Sequence, residues 1–307
     1  MTNEPDINLS NELALAIRIA DAADAISLPY FERQNFTLSR KADQSEVTEA
    51  DRNTETAIVE LIAHHRPDHA IYGEEHGHAG NASSPWKWVI DPIDGTSNFV
   101  RGVPVWATLI ALVHDIDGPV LGVISAPALP RRWWGARGIG AFANGRPMRV
   151  SDVSTIAEAQ VSVTFNSGWD HVGGTAALVA LQQRAYRARG YGDFWQHMLV
   201  AEGAMDVAVD AVGVAPYDLA AIQPIIEAAG GMFTDRLGQA THLHDSAISS
   251  NGVLHDEIIA LLVGLRQDPT VQVFQVFLDV VEHGLGCFEF APVRGVNPLE
   301  VRLEVLV

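Results

Sequence analysis

The stretch that most restricts what this chain can fold into is Trp88–Phe99, W-V-I-D-P-I-D-G-T-S-N-F. The short apolar run that enters it, Trp86 to Ile90, suits a buried strand. That strand delivers Asp91 to its C-terminal end. Pro92 biases Asp91 toward an extended backbone and removes one N–H donor. Asp94, Gly95 and Thr96 complete a turn, and the next residues can open a helix whose N–H groups and dipole attract an anion. Two carboxylates and an anion-binding backbone thus fall within six residues. Hard divalent cations take oxygen ligands, and Mg²⁺ in particular is held by a few carboxylates plus substrate phosphate oxygens. Taken alone, the same residues also describe a turn with solvated acids.

The flanking sequence supplies layers on either side of this strand. Ser10 suits the N-cap of a helix running to about Leu28, before Pro29, with apolar residues on two faces as in a helix sandwiched between layers. Thr48-Glu49-Ala50-Asp51 has the form of a capping box opening a second helix that Pro67 stops. A short strand, Ala70–Tyr72, leads into Gly73-Glu74-Glu75. Apolar runs at Trp106–Val113 and Val120–Ala126 flank Asp115-Ile116-Asp117-Gly118, and Asn144-Gly145 marks a further hairpin, so an antiparallel meander fills 106–150. After it, strands at Val161–Phe165, Met205–Ala211 and Ala247–Ser250 alternate with helices at Gly174–Arg187, Gln196–Ala204, Pro216–Ala229 and Leu254–Leu265. Pro224 predicts a kink in the third of these. Mixed strands and helices indicate an α/β or α+β architecture in layers.

The chain has 307 residues, enough for one large or two ordinary domains, and its formal net charge is −18. That charge makes nucleic acid and anionic membrane surfaces poor partners. Its single cysteine, Cys287, allows no intramolecular disulfide and fits a reducing compartment. The first residues lack the basic start of a signal peptide, and no apolar run reaches membrane-spanning length, so a cytoplasmic protein is expected. The expected organisation is an N-terminal α+β half, 1–150, a C-terminal α/β half, 151–266, and a β-prone tail, 267–307, with no assigned role.

Four motifs in order, V-T-E-A-D at 47–51, G-E-E at 73–75, D-P-I-D-G-T at 91–96, and Y-D-L-A-A with E-A-A-G-G within 217–231, resemble the inositol monophosphatase superfamily over about residues 10–266. N-F-V-R-G-V-P-V-W-A-T-L-I-A-L at 98–112, S-A-P-A-L-P-R-R-W-W at 125–134 and Y-G-D-F at 191–194 resemble its histidinol-phosphate phosphatase branch. The resemblance implies a five-layer αβαβα sandwich and a homodimer. It also implies up to three Mg²⁺ ions. Glu74, Asp91 and the Ile93 carbonyl would hold one; Asp91, Asp94 and Asp218 a second; Asp51 and Glu74 would help with a third. Thr96 with Glu74 would orient the attacking water. Asp94 and the backbone of Gly95 and Thr96 would bind phosphate. Asp193, Phe194, Asp210 and Asp218 would meet the alcohol. The chain departs from the family at Ala211, where a Glu is common and Asp210 lies one residue earlier, at Ser97 in place of Lys, and at Tyr217 in place of Trp.

The implied function is hydrolysis of L-histidinol phosphate by a metal-activated water. The alternatives are a phosphatase of inositol or another small phosphate, and a catalytically silent metal- or phosphate-binding protein.

Overall fold

The computed structural model describes residues 7–41 and 45–264. They lie in one compact unit, Met1–Gln267; the tail read from 267 onward lies outside the described residues. The chain opens with helix α1 (Leu9–Arg33), the paired strands β1 (Leu38–Arg40) and β2 (Glu46–Thr48), and helix α2 (Glu49–His65). Then come β3 (Ala70–Gly73), β4 (Gly77–Gly80), β5 (Trp86–Asp94) and the short helix α3 (Thr96–Val100). The meander follows as β6 (Ala107–His114), β7 (Gly118–Ala126), β8 (Arg131–Ala136), β9 (Gly140–Ala143) and β10 (Arg146–Pro147). The second half comprises β11 (Gln160–Val163), α4 (Ser167–His171), α5 (Thr175–Arg184), β12 (Arg187–Arg189), α6 (Asp193–Ala201) and β13 (Val207–Val209). It ends with α7 (Pro216–Leu219), α8 (Ile222–Ala228), β14 (Met232–Thr234), β15 (Ile248–Ser250) and α9 (His255–Gly264).

Two sheets result. The larger has the order β10-β9-β8-β7-β6-β5-β3-β4 and is antiparallel except where β3 meets β5. The smaller has the order β12-β11-β13-β15-β14. Side-chain alternation along each strand then builds the layers. On β5 and β6, Trp88, Ile90, Ile110 and Leu112 point into a core with α1 and α2, while Val89, Leu109 and Ala111 point into a second core with α6 and α8. On the smaller sheet, Ala208 faces that second core, whereas Val207 and Val209 face a third with α5 and α9. The stack is therefore α1/α2, sheet, α6/α8, sheet, α5/α9: the five layers expected. Gly122 allows the central contact to be close, because a Cβ there would stand 2.1 Å from the Ala221 carbonyl oxygen.

Local departures from expectation have local causes. Asn8, not Ser10, caps α1, accepting from the N–H groups of Ser10 and Asn11 at 3.1 and 3.2 Å. The helix runs past Pro29 to Arg33, and its last turn is held by Phe31 against Phe99 and Trp106. Its second apolar face meets α2 rather than another layer, so α1 is an outer element. The helix expected over Pro216–Ala229 is two helices broken at Ala220–Ala221. Pro224 has no N–H to offer the Ala220 carbonyl and its ring crowds that oxygen, so the break falls one turn before the proline. The two central residues of the Asn144-Gly145 hairpin both have positive φ, 46° and 77°, as a type I′ turn requires.

Candidate active site

Strand β5 does not stop at Asp91 but continues through Asp94, with a register shift against β6 between them. Residues three apart on a regular strand face opposite sides of a sheet. The shift inserts one extra residue on β5, since Asp91 pairs with Leu109 but Asp94 with Ala107. Pro92 falls in this bulge, where its missing N–H costs no ladder bond, and its carbonyl accepts from the Thr108 hydroxyl at 2.8 Å. The bulge lets two acids at odd spacing serve one site. Below it, Ile93 packs with Ala50, Phe99 and Trp106, fixing the strand end to the first turns of α2 and α3.

Asp91, Asp94 and Asp218 each bring a carboxylate oxygen to a common point, with those atoms within 4.8 Å of one another. Each carboxylate is also tied to a backbone N–H. Asp91 Oδ1 accepts from Ile93 at 2.9 Å, Asp94 Oδ2 from Phe194 at 2.8 Å, and Asp218 Oδ2 from Ala215 at 2.7 Å. Asp94 is thus pinned by the first turn of α6 and Asp218 by its own turn into α7, so the cluster spans both halves of the chain. Burial first, and then the neighbouring carboxylates, push Asp91 and Asp94 well above the usual carboxylate range and Asp218 up to about 7. Acids this crowded repel one another unless a cation or protons intervene. An all-oxygen donor set of this charge fits a hard divalent cation.

The other expected ligands lie around this cluster with partners of their own. Lys41 reaches Glu74 at 2.7 Å and Glu75 at 2.6 Å. Burial still holds Glu74 above its ordinary value. Burial likewise raises Asp51, whose Oδ2 closes the expected capping box with the Thr48 N–H at 2.8 Å. The Thr96 hydroxyl is within hydrogen-bond reach of Asp51 Oδ1, at 3.2 Å, and of the Ile93 carbonyl, at 3.0 Å. Gly95, at φ 84°, turns the chain from β5 into α3, placing the Gly95 and Thr96 amides at the start of that helix.

Asp193 occupies the first position of α6 with a positive φ of 48°. Its carboxylate does not cap that helix. Oδ2 accepts instead from the Asn98 amide at 3.0 Å, which ties the D-G-T-S-N turn to the second half of the chain. Burial, and then the charge of Asp210, raise Asp193 to about 6. The Phe194 side chain is fully buried against Trp133, so Phe194 meets the site through its backbone N–H rather than its ring. Asp210 is buried, and its Oδ2 lies 3.0 Å from His197 Nε2.

Glu55 escaped the sequence reading. It lies four residues after Asp51 on α2, fully buried, and its two oxygens accept from the N–H groups of Glu75 and His76 at 2.8 Å each. Only a glycine at 73 leaves it room, since a Cβ there would stand 2.1 Å from Glu55 Oε1. Its sole sequence signal is that helical spacing. Gly73→Ala and Glu55→Gln are each expected to loosen the turn that carries Glu74 and to weaken divalent-cation binding by roughly 10–100-fold. Isothermal titration with Mg²⁺ reads this directly, and wild-type affinity in both variants would show that the turn holds without the clamp.

The profile of the Inositol monophosphatase family matches residues 8–267. The chain belongs to the inositol monophosphatase family. It is 42% identical over 260 residues to a histidinol-phosphatase of Streptomyces coelicolor, covering 82% of this chain and 97% of that one. It is 43% identical over 258 residues to a histidinol-phosphatase of Mycobacterium tuberculosis, covering 82% and 98%. Among solved structures, the Thermotoga maritima IMPase superposes with a TM-score of 0.74 at 30% identity, covering 83% of this chain and 98% of that one. Among the described residues, no helix is long and apolar enough to cross a membrane.

Proposed function

We propose that this protein is a Mg²⁺-dependent phosphomonoesterase that hydrolyses L-histidinol phosphate to L-histidinol and phosphate, a step of histidine biosynthesis, as a cytoplasmic homodimer. The observation that carries the reading is near-full-length identity of 42–43% to histidinol-phosphatases in a chain that keeps an acidic cluster fit for a cation. Asp91, Asp94 and Asp218, with Glu74, Asp51 and the Ile93 carbonyl, would hold up to three Mg²⁺ ions. Bound there, the metal supplies neutralisation of the phosphate oxygens, a lowered pKa for the attacking water and stabilisation of the leaving alkoxide. The chain's own contribution is orientation. The Thr96 hydroxyl, already between Asp51 and the Ile93 carbonyl, is suited to align the attacking water together with Glu74. The amides of Gly95 and Thr96 are suited to the phosphate.

The alcohol is selected by the second half of the site. Asp193 and Asp210 put two carboxylates beside the acidic cluster. Histidinol phosphate brings an ammonium and an imidazole that can be cationic, whereas inositol phosphate brings only hydroxyls. A charge-assisted hydrogen bond from the substrate to Asp193 is one expected source of preference, with Asp210 available to the second cationic group. Asp193→Asn should therefore raise KM for histidinol phosphate by roughly 10–100-fold, the equivalent of about 1.5–3 kcal/mol, and far less for an uncharged phosphate ester. Equal losses on both esters would assign Asp193 to the support of Asn98 and the turn.

The function itself is tested by phosphate release with and without Mg²⁺ from histidinol phosphate, inositol 1-phosphate, fructose 1,6-bisphosphate and adenosine bisphosphate. Mg²⁺-dependent release led by histidinol phosphate is the expected result. A preference for inositol 1-phosphate would replace the substrate, and no release from any ester would make the protein a silent binder.

A further inference from the structure

His197 is fully buried on α6, four residues and one helical turn after Asp193. Neither the metal ligands nor the phosphate site uses it. Its Nε2 lies 3.0 Å from Asp210 Oδ2, and its Nδ1 lies 2.7 Å from the Ser249 hydroxyl. Asp210 follows the last residue of β13, and Ser249 sits on the neighbouring strand β15, opposite Ala208. A carboxylate can only accept, so a neutral ring carries its proton on Nε2 and accepts the Ser249 proton at Nδ1. Serine, histidine and aspartate then form a buried chain satisfied at both ring nitrogens.

That chain ends on Asp210, next to Ala211, where the family resemblance implies a glutamate; Asp210 offers a carboxylate one methylene shorter and one residue earlier. A short carboxylate reaches a ligand from fewer directions and depends more on being held. Asp210 Oδ1 is already engaged by the Ala211 N–H at 2.8 Å, which leaves Oδ2 under the control of His197. His197 sits on the helix whose first-turn Phe194 N–H holds Asp94, so the group it contacts is tied to the element that closes the acidic cluster.

We propose that His197 is a positioning residue, through which the Ser249–His197–Asp210 chain aims the Asp210 carboxylate at the cationic end of the substrate and so sets the preference for an amine- or imidazole-bearing phosphate ester. The proposal rests on the reading of Asp210 as a substrate-binding group. Four variants test it, each with kcat and KM on histidinol phosphate and on β-glycerophosphate, whose alcohol carries no charge. His197→Asn keeps a partner for Ser249 and loses the one for Asp210. It is expected to raise KM for histidinol phosphate roughly tenfold, the size of one hydrogen bond to a charged group, with kcat/KM on β-glycerophosphate within about twofold. His197→Gln places an amide N–H near the position of Nε2 and is expected to recover most of the loss. Asp210→Asn is expected to raise KM for histidinol phosphate as well, and the double variant His197→Asn/Asp210→Asn to be no worse than Asp210→Asn.

Parallel losses on both esters, or additive losses in the double variant, would overturn the proposal and leave His197 a satisfied core residue. If Asp210→Asn raises KM and His197→Asn does not, the proposal alone fails. If Asp210→Asn leaves KM unchanged, the reading of Asp210 fails and takes the proposal with it. Should His197→Asn not fold, Ser249→Ala, which frees the ring from its second anchor, carries the same comparison.

Discussion

Asp94→Asn and Asp218→Asn are each expected to lower kcat on histidinol phosphate by about 10²–10³ at saturating Mg²⁺, the scale of about 3–4 kcal/mol lost when one preorganised electrostatic group is removed from a transition state. The folds of the variants should survive, for a specific reason. The backbone bonds from Phe194 to Asp94 and from Ala215 to Asp218 need only an acceptor oxygen, which asparagine retains. Each substitution also removes a charge that the metal-free site holds at a cost, so the metal-free variants should melt at or above the wild-type temperature. Loss of turnover with unchanged or improved metal-free stability separates a ligand from a structural acid. Near-normal rates in either variant would remove that carboxylate from the metal centre.

The second large effect is a coupling between magnesium, pH and stability. Without metal, the folded state binds protons at Asp91, Asp94 and Asp218 more tightly than the unfolded chain does, because all three are raised. Their contribution to stability is therefore greatest below the unfolded value of 3.8 and is lost as pH rises toward the folded value, about 7 for Asp218. Buried His242 titrates in the opposite sense. Burial, helped by Lys87, pulls it from 6.5 to about 4, so it costs stability as pH falls through that interval. A plain melting profile mixes the two. The increment added by Mg²⁺ isolates the carboxylates, since the cation binds only their ionised form. The shift in Tm between excess Mg²⁺ and EDTA should be small near pH 4–5 and grow to a plateau as pH rises through the folded values of the three carboxylates, about 7 for Asp218. At a hundredfold excess over Kd the plateau corresponds to about 2.7 kcal/mol, or roughly 5–10 °C for a domain of this size. An increment of equal size at pH 4.5 and pH 8 would contradict the assignment of the acidic cluster as the cation site.

The parts of the site legible in the sequence are those made by neighbours along the chain. The capping box of Thr48 and Asp51, the apolar run before Asp91, the D-P-I-D-G-T spacing and the Asn144-Gly145 turn all act over two to four residues. Their chemistry is written in order. What the sequence concealed is how Asp91 and Asp94 come to face one site, because the bulge is defined only against β6. The partners of the acids were hidden for the same reason. Lys41 meets Glu74, Asn98 meets Asp193 and His197 meets Asp210 only after the layers have stacked. Strands β4, β12 and β14, of three or four residues each, were also missed. At that length an alternating pattern cannot be told from chance, and their pairing is set by the strands beside them. The break before Pro224 was readable in kind but misplaced by a turn, since a proline disturbs the carbonyl behind it.

The split of the acidic cluster between the two halves of the chain also has a consequence in time. During synthesis the polypeptide leaves the ribosome from its N-terminus, and Asp91 and Asp94 emerge together. Asp218 follows roughly 120 residues later, a delay of roughly 6–25 s at ordinary elongation rates. The smaller sheet cannot be completed earlier either, because β15 must enter between β13 and β14. For most of that interval the nascent chain presents a half-built acidic pair with neither Asp218 nor the α6 amide to finish it. If the acidic cluster is the cation site, a cation met on the ribosome would find the first half's carboxylates alone until Asp218 joins them.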